Sequence, residues 1–261
     1  MKSTYLIIIF IFTVIVYQPS FASERPLLIF ATEPWPPYFG PSLLRQGYMV
    51  DVLQSVLNSA GYQVRIDYIG WKRALAQAKK GMYTGIIGLY FTEDREAHFR
   101  FSPPLAKSTV CLYQRYNKRN QLMLDNLSRY RLGVVTNDAL AKGFLDSRGL
   151  VATVDASQTV IVDALLSGNL DALIATAEVF EYSLKSHYGH QYRNIQAMSP
   201  VLSTHDLFIG FSKTWPDIDH VVSKFEEHYL KLQEQGVIKA IQVLHNIDKK
   251  YGIKGGALES H

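Results

Sequence analysis

The sequence predicts an α/β protein of two lobes, each a mostly parallel sheet flanked by helices, with two chain crossings between them. Three observations lead there. Between Leu27 and Leu89, apolar runs of strand length alternate with segments of helical spacing, an order that implies parallel strands joined by right-handed crossovers. After a polar stretch, Arg115 to Gln121, the same alternation starts again. Finally, the apolar run Leu207 to Phe211 offers a strand to carry the chain back to the first lobe. The expected division is residues 1–22 as a leader, 23–114 with 207–261 as lobe one, and 115–206 as lobe two.

The leader comes first. Lys2 gives a positive start, Leu6 to Val16 is almost wholly apolar, and Ser20-Phe-Ala22 places small residues at the cleavage positions. That is the pattern of a cleaved secretory signal peptide, and it is short for a spanning helix. Cleavage after Ala22 is expected, and a mature protein in the periplasm. Cys111 is the single cysteine, so no internal disulfide can form. It sits in the apolar run Thr109 to Tyr113 and reads as a packing residue.

Leu27 to Thr32 is the first strand, stopped by Glu33-Pro-Trp-Pro-Pro-Tyr38, whose prolines forbid both helix and ladder. Trp35 and Tyr38 are thereby carried on a stiff loop at the strand's carboxyl end. Met49, Val52, Leu53, Val56, Leu57 and Ala60 have helical spacing closed by Gly61. Val64, Ile66 and Tyr68 alternate as in a half-buried strand. Trp71 to Lys80 is helical again, with Gly81 as its stop, and Gly85 to Leu89 is a short buried strand. The loop beyond it presents Tyr90, Phe91, Thr92 and Arg95. Ligands of open α/β sheets sit outside the carboxyl ends of the strands, and an arginine there matches a carboxylate with its fork of donors.

Thr109 to Gln114 is the next strand. In the second lobe, strands are expected at Arg131–Thr136, Val151–Val154 and Leu170–Ala175, and helices at Ala139–Leu145, Val160–Leu166 and Ala177–Lys185. The amphipathic helix from Ile218 to Leu232 is interrupted at Gly236 and resumes through Ile238, Ile241 and Leu244. Gly252 to His261 reads as a frayed tail.

Composition narrows the function. The 261 residues are 48% hydrophobic, an ordinary globular composition, and carry a formal charge of +4. No run of lysines or arginines concentrates that charge, so a nucleic-acid surface is not indicated. The closest histidines, His187 and His190, lack a third ligand, and no metal or other cofactor is expected. P-loop, dinucleotide-glycine and nucleophile-elbow motifs are absent from the sequence.

Several segments in order resemble the bacterial extracellular solute-binding proteins of family 3, the polar-amino-acid type. They are Gly47-Tyr-Met-Val-Asp51, Trp71 with Leu75 and Gly81, Thr92-Glu-Asp-Arg95 with Phe101-Ser-Pro-Pro104, Leu166-Ser-Gly-Asn-Leu-Asp-Ala172, and more loosely Glu234 to Lys239. The resemblance implies the type II periplasmic-binding fold, two lobes closing on a small-molecule ligand between them. It gives Arg95 the ligand's α-carboxylate and suggests Trp35, Tyr38, Trp71 and Tyr90 as aromatic walls, with Thr136, Thr176 and Glu178 contributed by the second lobe.

The departures from the family pattern bear on specificity. Tyr90 stands where a small hydroxyl residue is usual. Asp138, at the start of a second-lobe helix, can cap that helix but repels an anionic ligand. Thr176 occupies the position of the family's amino-group-binding Asp, with Glu178 two residues on. The expected role is a monomeric, non-catalytic carrier of an amino acid or related solute for an inner-membrane ABC permease. The alternatives are a sensor acting on a membrane receptor, or a dehydratase-like enzyme on the same scaffold with Glu178 as general acid.

Overall fold

In the computed structural model, residues 25–116, 122–135, 138–155 and 157–247 are described. The leader, the tail and Thr136 lie outside these residues, as does most of the expected crossing at Arg115–Gln121.

The chain opens with β1 (Leu27–Thr32), α1 (Tyr48–Ser59), β2 (Gln63–Tyr68), α2 (Trp71–Lys79) and β3 (Gly85–Leu89). A one-turn helix α3 (Glu93–Glu96) and a short strand β4 (Phe99–Phe101) follow; neither was expected. The long strand β5 (Ala106–Arg115) leads to β6 (Leu132–Val135), α4 (Ala139–Ser147), β7 (Ala152–Asp155), α5 (Gln158–Ser167), β8 (Ala172–Thr176) and α6 (Ala177–Tyr188). Then come the unexpected short strand β9 (Ile195–Ala197), the long β10 (Ser203–Ser212), and helices α7 (Ile218–Glu234) and α8 (Val237–Leu244).

The strands run in the order β2-β1-β3-β10-β5-β8-β6-β7, with β4 paired to β10 and β9 to β5. Pairings of β1 with β2 and β3, and of β6 with β7 and β8, are parallel, as crossover helices require. The antiparallel pairs belong to β5 and β10. Each is shared between the two halves of the sheet: Phe208 to Ser212 pair with β3 and β4, Ser203 to Leu207 pair with Val110 to Ala106, and Val110 to Gln114 pair with β8. The sheet is continuous between the two halves through this ribbon.

Both faces of each half are covered, and successive strand residues go to opposite faces. In the first lobe Phe30, Ile87, Ile209 and Phe211 pack under α1, α7 and α8, with Met49, Leu53, Phe225 and Ile241. Ala31, Ile86 and Leu89 point the other way, against Ala74 and Ala78 of α2. In the second lobe Cys111, Leu173 and Ala175 meet Ile161, Leu165 and Phe180, while Leu112, Val134 and Ile174 meet Ala141 and Leu145. Cys111 is the packing residue its apolar neighbours implied, and burial pushes its thiol up to about 11.

Candidate functional site

A cleft of about 780 Å³ opens at the carboxyl ends of the strands, inside the size range of small-ligand pockets. One wall comes from the loop after β1 (Glu33, Pro34, Trp35, Phe39), the first turn of α2 (Gly70 to Arg73), and the end of β3 with its loop (Gly88, Tyr90, Arg95). The other wall is Asp138, Ala139 and Leu140 at the start of α4, with Thr176 at the end of β8. Of the residues predicted from sequence, Trp35, Trp71, Tyr90, Arg95 and Thr176 line this one space.

Arg95 is placed by a local device. The Thr92 hydroxyl accepts the Arg95 N–H at 3.2 Å, an N-cap that folds Glu93–Glu96 into a single turn. That turn swings the guanidinium back, so Nη1 donates to the Tyr90 carbonyl at 2.9 Å and the group lies 6.0 Å from the centre of the Trp71 ring. Its acidic neighbours do not claim it: Asp94 pairs with Lys79 at 2.9 Å, and no carboxylate reaches Arg95 among the described residues. Partial burial lowers the pKa of Arg95, as desolvation of a cation must, yet a guanidinium stays charged. A half-buried cation with donors to spare faces the cleft.

The aromatic wall is built in two layers. Trp35 lines the cleft; Tyr38 is stacked behind it at 5.1 Å between ring centres and is buried. Tyr38 therefore supports the wall and is not part of its surface, which corrects the expectation. The prolines shape the loop so that the Tyr38 ring turns inward, and its hydroxyl donates to the Lys107 carbonyl at 2.6 Å. Tyr90 stands edge-on to Trp35 and donates to Ser108 Oγ at 3.1 Å, and Ser108 donates on to the Tyr38 oxygen at 3.3 Å. Burial raises the pKa of both phenols well above the usual range, so they stay protonated. Gly88 is held at φ 85°, and a Cβ there would run into the Phe39 ring, so only glycine lets that ring close the floor.

Across the cleft, Asp138 is heavily engaged. It accepts the Ala141 N–H at 3.0 Å as the N-cap of α4, the Thr176 hydroxyl at 2.8 Å, and the Thr176 N–H at 2.6 Å. A carboxylate has roughly four acceptor positions, so about one is left for the cleft. Its charge is already offset by three donors and a helix N-terminus, so the expected repulsion of an anionic ligand is muted. Glu33 is exposed and accepts the Trp71 N–H at 3.3 Å at the start of α2.

Glu178 lies elsewhere. It is fully buried and does not line the cleft; its Oε2 accepts the Thr109 N–H at 3.0 Å and its Oε1 has no hydrogen-bond partner among the described residues. The last ladder pair of β5 and β8 is Val110 with Thr176, so the Glu178 side chain extends that ladder by one step. Burial raises its pKa. Glu178 is thus a buried group beside β5, outside the cleft lining, and differs there from the expected ligand contact. Thr136 lies outside the described residues. Sequence reasoning missed Lys72, Arg73, Phe39 and Glu33; the position of Trp71-Lys-Arg73 just beyond the carboxyl end of β2 was the available signal for the first two.

The profile of the bacterial extracellular solute-binding proteins, family 3, matches residues 28–243. Among solved structures, the GluR0 ligand-binding core from Nostoc punctiforme, in complex with L-glutamate, is 18% identical over 82% of this chain and 97% of that one, with a TM-score of 0.66. A histidine kinase sensor domain with similarity to periplasmic binding proteins is 16% identical over 85% and 96%, with a TM-score of 0.67. ArtJ, the arginine-, lysine- and histidine-binding protein of Geobacillus stearothermophilus, is 19% identical over 83% and 93%, with a TM-score of 0.62. None of the proteins with curated function matches the sequence. The fold is that of the type II periplasmic binding proteins. The chain belongs to the extracellular solute-binding proteins of family 3.

Proposed function

We propose that this chain is a periplasmic carrier that closes its two lobes on a small polar solute, an amino acid or related compound, and delivers it to an inner-membrane ABC permease. Lobe one is formed by 23–114 with 207–261 and lobe two by 115–206, and the β5/β10 ribbon bends between them. The observation that carries this reading is Arg95: a half-buried guanidinium with no carboxylate partner among the described residues, facing a cleft whose opposite wall belongs to the other lobe. A ligand that touches both walls is bound more tightly by the closed state and so stabilises it. ArtJ and the GluR0 core, the first an amino-acid-binding protein and the second solved with one bound, share the fold and support the solute class. Glu178, buried and outside the cleft lining, favours a binder over a dehydratase-like enzyme.

Trp35 and Trp71 line the cleft, so closure on a solute will change their emission. The test is a screen of amino acids and related solutes by tryptophan fluorescence and melting temperature, after mass spectrometry of whatever co-purifies. A saturating ligand is expected to raise the melting temperature, and Arg95→Ala to abolish that rise with the unliganded melting temperature kept. Undiminished binding by Arg95→Ala would sink the reading. A second reading, a sensor acting in trans on a membrane receptor, is favoured by the likeness to the kinase sensor domain. Deletion of the chain separates the two: loss of solute uptake supports the carrier, and loss of a transcriptional response with intact uptake supports the sensor.

A further inference from the structure

Five charged side chains face the cleft: Glu33, Lys72, Arg73, Arg95 and Asp138. The two carboxylates are already answered. Asp138 is bound by Ala141 and Thr176 at the start of α4, and Glu33 by the Trp71 N–H at the start of α2. The three cations are not. Arg95 holds only a backbone carbonyl, and neither Lys72 nor Arg73 has an ion-pair partner among the described residues. The cleft lining thus sets three cations against two carboxylates that already accept hydrogen bonds, one net positive charge.

Lys72 and Arg73 also sit where a helix tolerates cations poorly. They occupy the first turn of α2, next to the positive end of its dipole, where acidic residues are the stabilising choice. A purely solvated helix face has no reason to concentrate cations there. A cleft that draws in anions does, because charges of one sign along a groove focus the field on an incoming solute.

We propose that the solute carries two anionic groups, one held by Arg95 and the second drawn to Lys72 and Arg73 at the start of α2. This rests on the cleft being a solute site, as argued above, and narrows its ligand to solutes with two acidic groups, such as acidic amino acids or dicarboxylates. Trp35, Trp71 and Tyr90 then flank the carbon skeleton between the two ends. The exposed Lys72 and Arg73 act mainly in capture and selectivity, and the half-buried Arg95 in retention.

Calorimetric and fluorescence titrations of the full mature chain with L-glutamate, L-aspartate, glutarate and succinate, and with L-glutamine and L-asparagine, which carry one carboxylate each, test this. At least one diacid is expected to bind about ten-fold or more tightly than its monoamide, with the preference shrinking between about 20 mM and 300 mM salt. The double variant Lys72→Ala/Arg73→Ala is expected to lose the preference, the ratio of diacid to monoamide affinity falling to about one. A diacid bound no better than its amide, no diacid bound at all, or a preference that survives the double variant would each overturn the proposal. Arg95→Ala separates the two levels. If it removes monoamide binding in a protein with no diacid preference, the cleft reading stands and only the two-acid proposal falls. If it leaves all binding intact, the cleft reading itself falls.

Discussion

Asp138 takes both the N–H and the hydroxyl of Thr176, at 2.6 and 2.8 Å. The carboxylate at the start of α4 and the threonine at the end of β8 therefore work as one unit, closing the second-lobe wall of the cleft. The threonine is buried, so each lost contact leaves an acceptor short of a partner.

Thr176→Val removes the hydroxyl and keeps the backbone contact and the volume. The expected cost is about 1 kcal/mol. For a protein of this size that is a fall in melting temperature of roughly 2–4 °C. An unchanged melting temperature would mean that the hydroxyl contact adds nothing to the wall.

Glu178 predicts a pH effect of definite sign. Its pKa is raised by burial, so the folded state keeps the proton after the unfolded chain has released it. Stability is then lost as pH rises from the ordinary glutamate value toward the raised one. Glu178→Gln keeps an acceptor for the Thr109 N–H, puts a donor where Oε1 has no hydrogen-bond partner among the described residues, and cannot ionise. Its melting temperature relative to wild type should improve from pH 5 to pH 8; a difference that stays constant would refute the buried-carboxyl account.

Asp171 predicts the opposite slope. It accepts from Arg131 at Nε (3.0 Å), Nη2 (2.7 Å) and the backbone N–H (2.9 Å), and these bonds hold its pKa below the usual carboxylate range. A depressed carboxylate stabilises the fold above its unfolded pKa, and that contribution fades as pH falls through the folded value. Because the pair is largely exposed, the effect of Asp171→Asn at pH 7 should be only about 0.5–1 kcal/mol. In urea titrations the gap between variant and wild type should narrow below about pH 4; a gap independent of pH would assign the effect to packing.

Much of the fold was legible because its elements are long and periodic. The spacing of Met49, Val52, Leu53, Val56 and Leu57 fixed α1, and the run Gly85 to Leu89 fixed a strand buried along its whole length. β4, β9 and the single turn α3 were missed, since three or four residues carry too little pattern to separate from a loop. Only the fold reveals that Thr92 caps a turn which brings Arg95 over Trp71. Tyr38 and Glu178 show the limit most plainly. A tyrosine on a proline-rich loop and a glutamate just after a strand were both expected to meet the ligand, and both are buried because β5 runs beside them. Burial at the seam of two lobes is a long-range property that local spacing does not encode.

The ribbon of β5 and β10 has one more consequence. Val110 and Ser203 are direct partners, so the chain leaves for the second lobe and returns from it at neighbouring points. Opposed residues in an antiparallel pair lie only about 4.5–5.5 Å apart at their Cα atoms. Everything between them is, topologically, a single excursion from a hairpin. The second lobe can therefore be treated as a cassette, cut at Val110 and Ser203 and exchanged with that of a relative, to transplant one wall of the cleft while the wall bearing Arg95 stays in place.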